Sequence, residues 1–444
     1  MIMKRTETDQ MGEKVIPEGA LYGIQTARAL ENFTLHNKPV NINLIYGIVT
    51  VKKAAALTYK DLYKDEAEKF SAIAWACDEV LNGLHDDQFK VEALQGGAGT
   101  SMNMNVNEVL ANLALIHMGK QPGEYEFIHP LDDVNRGQST NDVVPTGLRV
   151  AAIDRLRALS EECAKLQIAL QEKENELQDV HKLGRTEWMD AVPITLGQEF
   201  GAYAQAIARD RWRLYKVEER LRQVNLGGTA VGCGDNTDRR YRFLVIEKLR
   251  DLTGLGLALA EYPMDITQNL DVCVEVSGLI KALAVNLMKI SNDLRIMNSG
   301  PYGGIGEIHL QHHQYGSTIM PGKVNPVIPE MVIQCAIKVM ANDNAISMAA
   351  AHGEFELNAN TPLVADSLLE SLEIMVNAVK LFREKAVKTL IADEERCKEI
   401  LERSYAFATS YTKILGYDRV SEVVKNNPPE VAKKILEKEA SEAK

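Results

Sequence analysis

Long stretches of the chain carry apolar residues at helical spacing. Between Val150 and Val180 the apolar side chains are separated by three, four or seven positions, and Arg, Glu and Lys fill the positions between them. This pattern predicts one long amphipathic helix. Comparable patterns predict four more long helices, over about 196–223, 265–298, 326–351 and 365–387. Because each exceeds the usual globular helix of roughly a dozen residues, we expect an all-α fold built around a bundle of long helices.

The breaks between the predicted helices are rich in glycine and polar residues. They include residues 96–100 (GGAGT), 137–142 (GQSTND), 184–187 (GRTE) and 299–306 (SGPYGGIG). Polar chemistry gathers on such loops. The breaks also suggest three domains. We predict a mainly helical N-terminal domain at 1–137, a central helical bundle at 138–392 and a short C-terminal helical domain at 393–444.

Composition narrows the class of protein. The chain has 444 residues, more than one ordinary hydrophobic core needs. Its formal charge of -12 argues against a nucleic-acid partner, which would require clustered Lys and Arg. We find no apolar run of signal-peptide length at the N-terminus and none long enough to span a bilayer. We therefore predict a cytoplasmic protein with no nucleic-acid partner and no membrane partner.

The six cysteines are widely scattered along the chain. They form no Cys-x-x-Cys pair, and no short Cys/His spacing suits zinc. We interpret them as reduced structural thiols and predict no metal site.

Residues 316–326 (GSTIMPGKVNP) give the strongest chemical signal. A glycine-containing turn that ends at Pro326, the first position of a helix, would explain the glycines and the proline. It would not explain Lys323 and Asn325. Lysine supplies a positive charge and asparagine a two-sided amide, and together they suit a bound carboxylate. We interpret the segment as a loop that holds a carboxylate and moves a proton.

Three other segments place hydroxyl and amide groups next to predicted helices. Thr100 and Ser101 precede a helix predicted around Glu108, while Ser139, Thr140 and Asn141 precede the long helix over 150–180, and Thr186 follows Gly184-Arg185. The N-terminus of a helix binds anions through its free N–H groups. The same residues serve equally well as helix caps, and each segment alone leaves that alternative open.

Taken together, these segments resemble the aspartase/fumarase superfamily, whose signature loop reads Gly-Ser-Ser-x-Met-Pro-x-Lys-x-Asn. Thr318 stands where that loop has its second Ser. The resemblance extends from about Glu13 to Tyr417 and includes residues 94–101, 138–142, 184–186 and 225–230. The Gly96-Gly97 form of the first glycine loop looks more like aspartases than fumarases.

The resemblance implies a cofactor-independent β-elimination, in which a proton leaves Cβ and an amine leaves Cα. Proton removal next to a carboxylate creates an enediolate dianion, which needs hydrogen-bond donors. The implied catalytic residues are Ser317 as general base, Lys323 and Glu330. The implied substrate-binding residues are Thr100, Ser101, Ser139, Thr140, Asn141, Thr186, Glu187, Thr318 and Asn325.

Within this set the resemblance implies distinct contacts. Thr100, Ser139, Thr140 and Thr318 would hold the carboxylate beside the acidic carbon. The other carboxylate would contact Thr186, Lys323 and Asn325, and Asn141 would face the amine. Members of the superfamily build each site from three chains, so we expect a homotetramer that acts on a small molecule, with L-aspartate converted to fumarate and ammonia as the leading hypothesis.

Several residues depart from the superfamily pattern. Glu187 and Trp188 stand where the family usually has His or Gln and then Leu. In fumarases that position pairs with a glutamate matching Glu330, so Glu187 would form a carboxylate pair. The further departures are Leu131, Asp133, His312 and His313.

These departures leave several hypotheses open. They are either neutral changes or marks of an altered substrate. In the second case the chain would resemble ergothionase, a lyase that releases trimethylamine from a betaine, and Trp188 would add a cation–π contact. Fumarase activity is a further alternative, and a non-catalytic, crystallin-like relative is another.

Overall fold

The structure is a computed structural model that describes residues 4–17 and 19–443 of the chain. Helices dominate the described residues, which contain fifteen α-helices. These are α1 (Ile24–Asn32), α2 (Ile42–Leu62), α3 (Ala67–Leu81), α4 (Thr100–His117), α5 (Thr140–Glu176), α6 (Leu196–Leu221), α7 (Arg239–Thr253), α8 (Pro263–Gln268), α9 (Asp271–Met297), α10 (Val327–Ala350), α11 (Thr361–Phe382), α12 (Glu394–Glu402), α13 (Thr412–Leu415), α14 (Tyr417–Asn426) and α15 (Pro429–Glu442).

The strands are short and pair only in twos within the described part of the chain. They are β1 (Lys4–Asp9), β2 (Gly12–Pro17), β3 (His181–Thr186), β4 (Met189–Thr195), β5 (Gln223–Val224), β6 (Ala258–Leu259), β7 (Ile308–His309) and β8 (Ile391–Ala392). β5 and β6 are parallel, and the other three pairs are antiparallel. The predicted all-α class is confirmed, because no strand pair is large enough to form a layer of its own.

The five long helices are confirmed, with shifts that have local causes. α5 begins at Thr140, ten residues before the apolar pattern starts, because its first turns are polar and include Pro145. Proline lacks the N–H that would bond to Asn141 O, and Asn225 Nδ2 donates to that carbonyl at 3.0 Å instead. The helix predicted over 265–298 is divided into α8 and α9, and α10 begins just after Pro326.

The sequence-based prediction placed the start of the fourth helix too late in the chain. α4 begins at Thr100 rather than near Glu108. The first two turns carry asparagines whose side chains are buried, so the apolar period that marks a helix is missing there. These asparagines are Asn103, Asn105 and Asn107.

The chain divides into two compact units. The first unit comprises the described part of Met1–Leu159 with Arg213–Lys281 and Lys338–Ile374. The second unit comprises Ser160–Trp212, Ala282–Ile337 and Met375–Lys444, as far as these are described. The predicted three-domain boundaries near 137 and 392 stay a prediction.

In the first unit, α2 packs against α3 and α7, and α3 against α4. α2 and α5 approach backbone to backbone, since a Cβ on Gly47 would lie 2.1 Å from the carbonyl oxygen of Gly147. Only glycine fits such a contact. Polar pairs also connect long helices in this unit. Ser277 donates to Asp343 between α9 and α10, at 2.8 Å.

In the second unit, α6 contacts α9 through Tyr203, whose hydroxyl donates to Asp293 at 2.8 Å. β3 packs against α12. The C-terminal helices α14 and α15 share a small apolar core that includes Val423 and Leu436. None of the helices in the described ranges is both long and apolar enough to cross a membrane.

Candidate active site

Two helix starts in the first unit carry the first group of predicted site residues. α4 begins at Thr100, and α5 begins at Thr140 directly after Ser139. The Ser139 hydroxyl oxygen accepts a hydrogen bond from Asn141 N at 3.2 Å, and an Asp142 oxygen accepts one from Ser139 N at 2.9 Å. This reciprocal arrangement is a capping box. Ser139 is therefore a helix cap, and its hydroxyl hydrogen remains available to a ligand.

Asn103 connects the two helix starts. Its side-chain amide donates to Thr140 Oγ1 at 3.3 Å and to Asn135 Oδ1 at 3.2 Å. Asn103 lies one turn after Thr100 on α4, so the first turns of α4 and α5 lie close together. Each helix start carries a partial positive charge. Some of the polar groups there already have partners, since Met102 N donates to Gln95 Oε1 at 2.9 Å and the Thr100 hydroxyl donates to Gly97 O at 2.7 Å. The two helix starts stay the predicted anion site.

A buried charge lies next to these helix starts. Lys52 on α2 is fully buried and donates to Asn135 Oδ1 at 2.7 Å. Burial lowers the pKa of Lys52 to about 7, although the charge of Asp142 opposes that shift. Burial also raises the pKa of Asp142 to about 6, against three backbone N–H donors, from Ser139, Thr229 and Gly227. Near neutral pH, Lys52 thus changes charge close to the anion site.

Thr186 and Glu187 lie at the end of a β-hairpin in the second unit. β3 and β4 pair antiparallel, with Thr186 opposite Met189, so Glu187 and Trp188 form a two-residue turn. Their φ angles are 52° and 68°. Such turns favour Asn-Gly, because a left-handed conformation costs other residues roughly 1–2 kcal/mol each. Backbone strain of this kind is common at functional sites.

Both turn residues are exposed. Among the described residues Glu187 has no hydrogen bond and no ion pair, so its carboxylate is available to a ligand. The predicted pair of Glu187 with Glu330 stays a prediction. Glu330 lies 3.8 Å from the guanidinium of Arg295.

The signature loop connects the segment after β7 with α10. A Cβ on Gly316 would lie 2.5 Å from Asn325 N, so the base of the loop has room only for glycine. Asn325 Nδ2 donates to Gly316 O at 2.9 Å and closes that base. Asn325 therefore stabilises the loop in addition to its predicted role toward a carboxylate. Lys323 and Thr318 are exposed.

The Ser317 hydroxyl, the predicted base, has two backbone partners in the loop. Its oxygen accepts hydrogen bonds from Ile319 N at 3.2 Å and from Met320 N at 2.8 Å. Two N–H donors stabilise a negatively charged oxygen and favour the alkoxide over the hydroxyl. The sequence motif identified Ser317, but these two donors depend on the turn that the loop adopts.

The predicted site residues are thus divided between the two compact units. The first unit brings together the helix-start residues Thr100, Ser101, Ser139, Thr140 and Asn141. The second unit carries two smaller groups, the hairpin residues Thr186 and Glu187, and the loop and α10 residues Ser317, Thr318, Lys323, Asn325 and Glu330.

The other departures from the superfamily pattern have distinct environments. Asp133 is buried and pairs with Lys69 at 2.9 Å and Arg136 at 3.1 Å, so its role is structural. Leu131 is exposed. His313 Nε2 lies 2.7 Å from the carbonyl oxygen of Lys385, which anchors the segment that leads into the loop. His312 is exposed.

Three polar residues near the predicted site were missed in the sequence. Lys52 is marked only by being a lysine within the apolar run of α2. Asn135 lies a few residues after Leu131 and Asp133, which the sequence analysis noted only as departures from the superfamily pattern. Glu307 directly follows the glycine-rich break at 299–306 and precedes Ile308. Each signal is a charged or amide group at a position that a helix or strand pattern assigns to the core.

The described residues hold no group of three or more His, Cys, Asp or Glu side chains that could bind a metal ion. All six cysteines are unpaired, and four are buried. Burial raises the pKa of the Cys397 thiol to about 12. The buried thiols are therefore poor nucleophiles.

Comparison with known proteins decides the family. The chain is 45% identical over 417 residues to the aspartate ammonia-lyase of Corynebacterium glutamicum, which covers 93% of this chain and 79% of that protein. It is 42% identical over 440 residues to the aspartate ammonia-lyase of Escherichia coli strain K12, which covers 98% and 92%. The model of a lyase family matches residues 12–341. The chain belongs to the aspartase/fumarase superfamily of lyases.

The fold of this superfamily member also matches solved structures. A fumarate lyase:delta crystallin from Brucella melitensis bound to cobalt superposes with a TM-score of 0.92 at 42% identity, covering 99% of this chain and 95% of that one. A class II fumarase from Schistosoma mansoni gives 0.91 at 32% identity, covering 95% and 92%. Proteins of different names thus share the fold, and the activity has to be argued from the site.

Proposed function

We propose that the chain is an aspartate ammonia-lyase, a cofactor-independent carbon–nitrogen lyase that converts L-aspartate to fumarate and ammonia. The observation that carries the proposal is the pair of helix starts connected by Asn103, which offers donors to one carboxylate. The relatives that share 42–45% of their residues with this chain carry that name.

The chemistry begins at Cβ of aspartate. A base removes the Cβ proton, and the electron pair moves into the neighbouring carboxylate to give an enediolate dianion. The pair then returns to form the carbon–carbon double bond, and the amine leaves Cα. Thr100, Ser139 and Thr140 donate to the oxygens that gain charge, and the helix dipoles of α4 and α5 favour the added charge.

Ser317 is the proposed base. A serine hydroxyl is a weak base unless its alkoxide is stabilised. The N–H groups of Ile319 and Met320 supply that stabilisation. Lys323 adds a positive charge in the same loop, where with Thr186 and Asn325 it holds the second carboxylate, and Asn141 faces the amine.

The proposed assembly is a homotetramer in which three chains contribute to each active site. The long helices support it, because they expose large apolar side chains that a single chain leaves in water. Exposed apolar side chains on such helices are common at subunit interfaces. The exposed side chains are Ile168 on α5, Trp212 and Tyr215 on α6, Val285 on α9, and Ile337 and Met348 on α10.

One observation favours a second candidate substrate. Glu187 and Trp188 share an exposed, strained turn, and the described chain gives Glu187 no cation. An anion and an indole together suit a permanently cationic amine. On this alternative the enzyme is a lyase of the same mechanism that releases trimethylamine from a betaine.

A substrate panel tests these proposals. The purified protein is mixed separately with L-aspartate, L-malate and a trimethylammonium betaine of an α-amino acid, and the absorbance of the unsaturated product is followed. Aspartate is expected to give fumarate at the highest kcat/KM. No fumarate from aspartate, even at high substrate and with magnesium present, would refute the leading proposal. Faster turnover of the betaine would establish the second candidate.

A further inference from the structure

A buried carboxylate lies beside the hairpin that carries Thr186. The Glu307 side chain is 0% exposed, and one of its oxygens lies 2.8 Å from Lys182 Nζ while the other lies 2.9 Å from Arg185 Nη1. Both cations are on β3, and Arg185 directly precedes Thr186. Glu307 therefore fixes the strand that ends in the hairpin turn.

The backbone of Glu307 belongs to a different segment, the one that leads to the signature loop. Glu307 N donates to Met297 O at 2.9 Å, and Asp393 N donates to Glu307 O at 2.9 Å. The next residues form β7 against β8, and Leu310 N donates to Asn298 Oδ1 at 2.7 Å. This backbone is held firmly, so the Glu307 carboxylate is a fixed point to which the hairpin attaches.

The ion pairs lie beside a cavity. A cavity of about 360 Å³ adjoins the hairpin, and its lining includes Lys182, Arg185, Glu187 and Trp188. Lys182 is 1% exposed and also lies 2.8 Å from Glu199. Buried ion pairs add little net stability, but they penalise any arrangement that separates the charges. The ion pairs therefore help to hold the turn beside the cavity, together with the packing of β3 against α12.

We propose that Glu307 is a positioning residue of the lyase reaction. Through Lys182 and Arg185 it holds the hairpin turn, and with it Thr186 and Glu187, in a fixed place relative to the segment that leads to the Ser317 loop. This inference rests on the proposed function for its kinetic consequences, and its structural part stands independently.

The main test is Glu307→Gln, which removes the charge and keeps the shape. We expect kcat for aspartate to fall at least about tenfold, because a misplacement of 1 Å costs on the order of a hundredfold in rate. The Kd of fumarate, measured by calorimetry, should rise by less than kcat falls, because the donors of the first unit remain while Thr186 is displaced. Glu307→Asp keeps the charge and should recover part of the lost kcat.

Glu218→Gln is the matched control. Glu218 is likewise a buried carboxylate with two cationic partners, Arg157 at 2.8 Å and Arg222 at 2.7 Å, but it lies in the first unit and holds no predicted site residue. A general cost of losing a buried charge would affect both variants. We expect kcat of Glu218→Gln to stay within about twofold of the unsubstituted protein.

A second readout does not depend on activity. In a Trp75→Phe/Trp212→Phe background Trp188 is the sole tryptophan, since the chain has three. Glu307→Gln should change the iodide quenching of Trp188 fluorescence, and Glu218→Gln should not. If Glu307→Gln does not fold, Arg185→Gln at the partly exposed end of the cluster should give the same change in quenching.

The outcomes are distinguishable. Unchanged Trp188 quenching, or a loss of kcat matched by an equal loss of fumarate affinity, would overturn the positioning role. If the unsubstituted protein makes no fumarate from aspartate, the proposed function fails, and the quenching comparison still decides whether Glu307 holds the turn.

Discussion

Ser317 shows how far a single residue can be understood from the sequence. The signature motif singles out this serine, but a hydroxyl alone is too weak a base for a carbon acid. The structure adds the N–H groups of Ile319 and Met320, which no residue type encodes because every non-proline backbone has them. The sequence therefore predicts the residue but not the two donors, which depend on the turn that the loop adopts.

Replacing Ser317 tests this role. We expect Ser317→Ala to lower kcat by about a thousandfold, the usual range for losing a general base. Fumarate should still bind, because the donors for its carboxylates remain. Ser410→Ala is the control, since Ser410 is an exposed serine that bonds only to Phe407 O in its own turn. Comparable kcat in the two variants would contradict the assignment.

Lys52 should make the stability of the protein depend on pH. Burial lowers its pKa from 10.5 to about 7, so between these values the unfolded chain binds the proton and the folded chain does not. The free energy of unfolding therefore rises with pH in this window. From pH 7 to pH 9 we expect the difference between the unsubstituted protein and Lys52→Met to increase by about 2 kcal/mol.

Urea unfolding at a fixed protein concentration measures this difference. Lys53→Met is the matched control, because Lys53 is the next residue of α2 but pairs with the half-exposed Asp78. A difference between the unsubstituted protein and Lys52→Met that stays constant from pH 7 to pH 9 would show that Lys52 keeps its charge in the folded state.

At the scale of elements, apolar spacing predicted the long helices. It did not predict the starts of α4 and α5, where polar residues occupy the first turns. The first turns of α4 and α5 are lined with asparagine, serine and threonine, so a pattern based on apolar residues sees loops there. The same polar residues include the predicted carboxylate-binding positions. The polar residues that suit these helix starts to an anion are therefore also the residues that break the apolar pattern on which the prediction depends.

The start of α5 also contains a compensated proline. Asn225 donates both to Asn141 O, which Pro145 leaves without its helical partner, and to the Thr267 hydroxyl. We expect Asn225→Ala to lower the free energy of unfolding by about 1–3 kcal/mol, the cost of an unpaired buried polar group. In a Pro145→Ala background the helix regains its own N–H, so the same substitution should cost less.

A double-mutant cycle measured by urea unfolding separates these terms. Equal losses in the two backgrounds would mean that Asn225 acts through its other partners, the hydroxyls of Thr267 and Thr146.

At the scale of the whole molecule, the family and the helical class followed from the sequence, because several motifs recur at the right spacing. The grouping of site residues did not follow. Residues such as Thr140 and Ser317 are distant in the sequence, and the chain assigns them to different compact units. Spacing along a chain carries no information about which subunit of an assembly completes a site.

Mixing inactive variants tests whether chains share sites. Thr140→Val and Ser317→Ala should each be inactive alone. If the helix starts and the loop of one site come from different chains, random reassembly after mild dissociation should restore about a quarter of the activity. Mixing without dissociation is the control and should restore none at first. No recovery from correctly reassembled oligomers would mean that one chain supplies both groups.

The contact between Gly47 and Gly147 limits how this enzyme can be re-engineered. The two helices that meet there are α2, which carries Lys52, and α5, which begins with predicted carboxylate-binding residues. A larger distance between these helices would displace both groups together. A mutagenesis library aimed at new amines should therefore diversify the exposed hairpin turn and leave both glycines untouched. Even the Cβ of an alanine would force the two helices apart there.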